Sequence, residues 1–253
     1  MEVVLQTREL TKRYGITKSR MVTALKDITV TLERGRIYGL VGNNGSGKTT
    51  FIRLVTGLTR PTSGTISLFG SDSPKELMSA RKRLGALVDS PAYYPDMTLM
   101  QNLKAQLMLL EREERANLDE LCRVVGIEPR EVGRRRIKNC SQGQRQRYGI
   151  ASALLGKPDF LLLDEPLNGL DPSGVSELRE LLTRLNGEYG ITMLISSHIL
   201  AELHKVATDY IFFDLGEIVE TITSEELDRR IEERELNDVE AYFMELTRRK
   251  LTW

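Results

Sequence analysis

The chain has 253 residues, 40% of them hydrophobic, enough to bury a sizeable core as one large domain or two small ones; one composite domain is expected. Thirty-six basic residues balance thirty-six acidic ones, so no global field favours nucleic acid or an anionic membrane surface. No apolar run approaches the roughly 20 residues that span a bilayer, and the opening MEVVLQTREL lacks the apolar core of a secretion signal, so a cytoplasmic location is expected unless another subunit holds the chain to a membrane.

Residues 4–10 and 28–32 show partial period-two alternation, the second run ending at the turn-like Glu33-Arg34-Gly35, and read as antiparallel strands covered on one face. The apolar stretch 37–41 then leads directly into Gly42-Asn43-Asn44-Gly45-Ser46-Gly47-Lys48-Thr49, which fills every fixed position of the phosphate-loop pattern G-x-x-x-x-G-K-[ST]. Glycines let the backbone curl so that amide N–H groups face phosphate oxygens, Lys48 supplies a point charge, and Thr49 supplies a hydroxyl for magnesium. A helix expected from Lys48 onward, through Thr50 and the spaced Phe51, Leu54, Val55 and Leu58, adds its N-terminal dipole. An incidental glycine-rich turn explains neither the strand before the loop nor the helix after it. Asn43, Asn44, Gly45, Ser46, Gly47, Lys48, Thr49 and Thr50 are therefore the expected contacts of a nucleoside triphosphate.

Residues 65–70 alternate again after the breaker run Arg60-Pro61-Thr62-Ser63-Gly64, and 84–88 read as a short buried strand. From about 97 to 155 the texture changes to helix formers, with Leu103, Leu107, Leu110 and then Leu118, Leu121, Val124, Val125 at helical spacings, broken at Gly126 and Pro129: a helical insert. Residues 160–163 and 191–195 are continuous apolar runs, as expected of parallel strands buried on both faces, with an amphipathic helix over 175–185 between them. In an open parallel sheet the ligand crevice lies beyond the carboxyl ends of the strands, so Asp164-Glu165 and Ser196-Ser197-His198 are expected on the phosphate loop's side. Beyond about Glu220 the chain is charge-mixed and helical, with Val239, Tyr242, Phe243 and Leu246 able to form one sticky face.

Asp164, at a strand end, is the carboxylate by which phosphate-loop NTPases hold magnesium through a bound water. Glu165, able to face the opposite way, is suited to orient or deprotonate the water that attacks the γ-phosphate. Cys122 and Cys140 lack metal-ligand spacing and read as reduced packing residues. The run Arg134-Arg135-Arg136-Ile137-Lys138 reads as a solvated face countered by acids such as Glu128 and Glu131 rather than as a nucleic-acid contact.

Cys140-Ser141-Gln142-Gly143-Gln144 before Arg145-Gln146-Arg147, then Leu162-Leu163-Asp164-Glu165-Pro166, Asn168-Gly169-Leu170-Asp171 and Ser197-His198, follow in an order that resembles the ATP-binding subunit of an ABC transporter. Asp89-Ser90-Pro91 and the ending Tyr242-Phe243-Met244-Glu245-Leu246 are similar to the bacitracin and lantibiotic export or immunity branch. The resemblance implies a phosphate-loop NTPase (RecA-like) α/β core with an N-terminal antiparallel β-subdomain and an inserted helical subdomain. It implies core segments 1–88 and 157–219, helical subdomain 89–156 and tail 220–253. It further implies ATP and magnesium as ligands and two nucleotides sandwiched between two ATP-binding subunits. Ser141, Gly143 and Gln144 would then meet the γ-phosphate held by the second subunit, His198 would contact that phosphate in its own subunit, Tyr14 would stack on adenine, and Asp171 would report across the dimer. A separate integral membrane subunit is implied as the partner that is driven.

Two positions depart from the family pattern. Asp89 stands where Gln is usual, and as a carboxylate it is expected to ligate magnesium beside Thr49 and Asp164; the bacitracin and lantibiotic branch carries an acidic residue there. Gln142 replaces the first signature glycine and needs space beside the triphosphate. Rival readings are an ABC-type ATPase acting on DNA or ribosomes, opposed by a single ATP-binding unit without a heptad array, and a regulatory module that signals without moving cargo.

Overall fold

A computed structural model describes residues 2–15, 21–110, 117–128 and 134–248. Pro129 and Glu131, two residues weighed above, lie outside them. Strands β1 (Val3–Tyr14), β2 (Val22–Glu33) and β4 (Ser63–Leu68) form an antiparallel sheet in the order β2-β1-β4. The partial alternation of β1 has a local cause. Its pairing with β2 shifts register between Thr7 and Leu10, where Glu9 takes a φ of +48°, so two successive exposed residues interrupt the period.

The second sheet runs β5 (Leu84–Leu87), β6 (Phe160–Asp164), β7 (Thr192–Ser197), β3 (Ile37–Gly42), β8 (Asp209–Asp214), β9 (Glu217–Thr223). Its neighbours are parallel except β8 and β9. Strand period divides each central strand between two cores. Ile37 and Val41, Leu161 and Leu163, Met193 and Ile195, and Tyr210 and Phe212 face one core. Tyr38 and Leu40, Phe160 and Leu162, Leu194, and Ile211 and Phe213 face the other. Both faces are dry, which is why these strands read as unbroken apolar runs.

Helix α1 (Lys48–Thr56) packs Phe51, Ile52, Leu54 and Val55 between this sheet and the antiparallel one. It stops at Gly57, in left-handed backbone, so Leu58 falls outside it and is exposed, contrary to the periodic expectation. Helix α2 (Pro74–Ala80) follows β4 and is capped by Ser73. The opposite face carries α3 (Leu99–Leu109), α4 (Leu118–Val124), α5 (Gln142–Leu154), α6 (Pro172–Gly187) and α7 (Leu200–His204). Three of these helices begin at capping side chains: Thr98 and Gln101 form a reciprocal box at α3, Ser141 and Gln144 at α5, and Asp171 caps α6. Leu110 lies past the end of α3 and is exposed.

The C-terminal helices α8 (Ser224–Glu233) and α9 (Val239–Arg248) start later than expected, because residues 217–223 pair with β8 as a strand. Val239, Tyr242 and Phe243 form no free face. They are buried, and Phe212 stacks on Phe243 and meets Tyr242 at a tilt. Among the described residues no helix is long and apolar enough to cross a membrane.

Candidate nucleotide site

The phosphate loop closes on itself through Ser46 N–H donating to Asn43 O at 3.0 Å, and Gly216 N–H braces it by donating to Ser46 O at 3.0 Å. Gly47 holds a φ of +110°, with Leu25 and the Ala24 carbonyl where a Cβ would go, so no other residue fits there. Helix α1 therefore opens without a side-chain cap, leaving its first N–H groups aimed at the loop's concavity. Ser46 Oγ is buried and has no hydrogen-bond partner. A Cβ on Gly42 would press on both this hydroxyl and Phe213 O, so the hydroxyl packs towards β8; the groups that fit an oxygen-rich anion are the uncapped N–H groups of α1 and the Lys48 ammonium. Asn43, Asn44 and Gly45 are exposed along the rim, and Thr50 is half-buried.

Lys48 is 6% exposed, and its ammonium donates to Gly42 O at 2.5 Å and Asn43 O at 3.2 Å. Burial lowers its pKa from the ordinary lysine value, opposed by the charges of Glu165 and Asp164. Thr49 Oγ1 donates to Asp164 Oδ2 at 2.8 Å, and Ser196 Oγ donates to Asp164 Oδ1 at 2.6 Å. Asp164 is thus fixed by groups from α1 and β7.

Glu165 follows in left-handed backbone, φ +50°. Its N–H donates to Ser196 Oγ at 2.8 Å, and its Oε1 lies 3.9 Å from Lys48 Nζ. Simple strand alternation would send this side chain away from Asp164; the turn brings it back beside the loop. His198 Nδ1 lies 2.6 Å from Glu165 Oε2, and the His198 backbone N–H donates to the same oxygen at 3.2 Å. The expected delivery of both strand ends to the loop's side is observed.

Other expected residues stand apart from this cluster. Asp89 accepts from Arg53, Nη2 to Oδ2 2.6 Å, whereas the Thr49 hydroxyl donates to Asp164. Ser141 Oγ accepts from Gln144 N–H at 3.2 Å, and Gln144 Oε1 accepts from Ser141 N–H at 3.0 Å, so both serve the cap of α5. Gln142 Nε2 donates to Asn168 O at 3.2 Å, and a Cβ on Gly143 would touch Leu170 at 3.6 Å. The signature segment thus leans on residues 168–170 of its own chain. Asp171 accepts from Gly174 N–H at 3.0 Å as the cap of α6. Tyr14, at the end of β1, is 40% exposed, with the Lys12 ammonium 4.8 Å from its ring centroid.

A cavity of about 760 Å³ opens beside Glu165, walled by Asp89 to Tyr93, the start of α5 and residues 168–169. Arg136 and Lys138 both pair with Asp96, at 3.2 and 2.6 Å, an acid not named among those expected; Glu131 lies outside the described residues. Sequence reasoning missed two residues. Ser196 was read only as a strand end, and Arg53 carried no signal beyond its place on the loop's helix. Cys122 and Cys140 are free and buried.

The chain matches the family model described as ABC transporter over residues 25–168. It is 36% identical over 230 residues to the bacitracin transport ATP-binding protein BcrA of Enterococcus faecalis, covering 91% of this chain and 72% of that one. It is 36% identical over 217 residues to the lantibiotic transport ATP-binding protein SrtF of Streptococcus pyogenes, covering 85% and 89%. Among solved structures, CbiO1 from Clostridium perfringens, part of the ABC transporter complex CbiONQ, is similar with a TM-score of 0.77 and 27% identity, covering 92% of this chain and 96% of that chain. With a phosphate loop, an adjacent Asp-Glu pair and these relatives, the chain belongs to the ABC transporter family as an ATP-binding, ATP-hydrolysing subunit.

Proposed function

We propose that this ATPase drives the export of peptide antibiotics, in resistance or immunity, through a separate integral membrane subunit at the cytoplasmic face of the membrane. The names of its bacitracin and lantibiotic transport relatives support the cargo class. The observation that carries the chemistry is Glu165, turned back beside Lys48 and held against His198.

In this reading the loop residues 43–50 cradle the phosphates, with the backbone N–H groups of the loop and of the start of α1 as donors and Lys48 on the outer phosphates. Glu165 orients and deprotonates the attacking water, and His198 holds the Glu165 carboxylate in place through its backbone N–H and Nδ1 while its ring Nε2 contacts the γ-phosphate. Thr49 and Asp164 present a hydroxyl and a carboxylate 2.8 Å apart, hard oxygen donors of the kind magnesium takes. They would hold that ion, joined by Asp89 after it leaves Arg53; when bound, magnesium would neutralise charge on the phosphate oxygens. Tyr14 flanks the adenine.

Ser141, Gly143 and Gln144 act on the nucleotide of a second ATP-binding subunit. The start of α5 makes an anion site of the hydroxyl and backbone N–H type, and within one chain its contacts run to residues 168–170. The segments 1–88, 89–156, 157–219 and 220–253 work as one ATP-binding unit that closes as a dimer on ATP and reopens after hydrolysis. The motion follows from a difference in affinity between the two nucleotides.

Deleting the gene and challenging the host with bacitracin-type and lantibiotic peptides tests the cargo class: sensitivity should rise, and the wild-type chain but not Glu165→Gln should restore resistance. Unchanged sensitivity to both peptide classes would rule the export reading out. In the purified chain, Glu165→Gln should reduce phosphate release by about a hundredfold or more while ATP binding persists and dimers accumulate.

A further inference from the structure

Asp89 follows β5 in left-handed backbone, φ +62°, which aims its carboxylate at α1. There it meets Arg53, on the same helix as Lys48 and Thr49. The hydrogen bond to Asp89, ahead of the charges of Asp89, Tyr14 and Asp164, makes Arg53 hold its proton more tightly than usual. Through Asp89 the guanidinium lies at the edge of the cavity that Glu165 also lines. Asp89 in turn shares a cavity wall with Glu165, Tyr93 and Gln142.

An amide at position 89 would be neutral, whereas a carboxylate beside a triphosphate repels it unless a cation compensates. The compensating cation sits on the helix whose N-terminus faces the phosphates. We propose that Arg53 is a positioning residue for Asp89: its ion pair neutralises Asp89 and holds the carboxylate back from an incoming outer phosphate. This rests on the proposed nucleotide site and adds a device within it.

Binding of fluorescent ATP and ADP analogues to the purified chain, in chelator without metal, tests this separately from turnover. Arg53→Ala leaves Asp89 uncompensated and should weaken the ATP analogue about fivefold, with less than about a twofold change for the ADP analogue, since the screened repulsion falls on the outer phosphate. Arg53→Lys should restore most of the affinity. In an Asp89→Asn background, Arg53→Ala should change neither. The pair is solvent-exposed, so its loss should leave the melting temperature nearly unaltered.

Equal loss in the two backgrounds, or equal loss for the two analogues, would show that Arg53 acts on nucleotide directly and overturn the inference. So would no loss at all. A wild-type chain that binds neither analogue defeats the nucleotide site itself and the inference with it.

Discussion

His198 and Glu165 share one oxygen: Oε2 of Glu165 lies 2.6 Å from the His198 ring nitrogen and accepts from the His198 backbone N–H at 3.2 Å. The end of β7 thereby fixes the carboxylate that leaves β6. His198→Ala should lower the rate of phosphate release about 10- to 100-fold, since a poorly oriented base loses part of its advantage. ATP affinity should change by less than about twofold. Single-turnover kinetics separate the two, and a pure affinity loss would contradict the positioning role.

Lys48 carries a cost in the nucleotide-free chain. Because its folded-state pKa is lowered by burial, the unfolded chain binds that proton more tightly, and the charged group weakens the fold below the lowered value. Stability from this group therefore rises with pH between the lowered value and the ordinary 10.5. Lys48→Met should melt at or up to about 3 °C above wild type without nucleotide and lose that pH-linked rise. The upward shift that ATP gives the wild type should vanish. Thermal scans with and without ATP read both effects.

Gly47 is a backbone requirement rather than a contact. An alanine Cβ would lie 2.6 Å from Leu25 Cδ2 and 2.8 Å from the Ala24 carbonyl, at a φ that L-residues rarely adopt. Gly47→Ala should cost about 2 to 4 kcal/mol and displace the loop. Urea unfolding gives the first number; loss of ATP binding reports the second.

Tyr242 pins the C-terminal helix. Its hydroxyl donates to Glu220 Oε2 at 2.8 Å and accepts from Arg230 at 3.1 Å, beneath a buried ring. Tyr242→Phe removes both bonds while Arg230 keeps its pairs with Glu220 and Glu226, and should destabilise by about 1 kcal/mol in chemical denaturation. ATP turnover measured well below the melting point should stay within about twofold of wild type, because this network lies on β9, α8 and α9.

The cysteines should be inert. Burial pushes the Cys122 thiol up to about 11 and raises Cys140 as well, so little thiolate exists at pH 8. A colorimetric thiol reagent should react at least about 100-fold more slowly with the folded chain than with the urea-unfolded one. Rapid labelling of the native protein would contradict the packing seen here.

Much of the site was legible because its chemistry is local. Residues 37–49 read directly as a strand, a tight loop and a helix start, and the apolar runs before Asp164 and Ser196 announce strands buried on both faces. Element ends were less legible. Leu58 and Leu110 fit helical spacing yet lie beyond the ends of α1 and α3, and residues 220–223 look helical by composition but pair with β8. Periodicity records which faces are apolar, whereas the end of an element depends on a backbone turn or on a distant pairing partner.

The sequence by itself determined the family, the phosphate loop and which strands are buried on both faces, since each rests on short runs of residues or on the order of short motifs along the chain. Only the tertiary structure decided which acid met which base. Asp89 went to Arg53, Asp96 to the basic run, and Glu165 to His198 and the neighbourhood of Lys48. Such pairs join residues separated by tens to more than a hundred positions, and their partners are chosen by strand order and by single left-handed turns at Asp89 and Glu165. Charge alone could not choose among thirty-six acids and thirty-six bases, because at the surface an ion pair is worth too little to select its own partner.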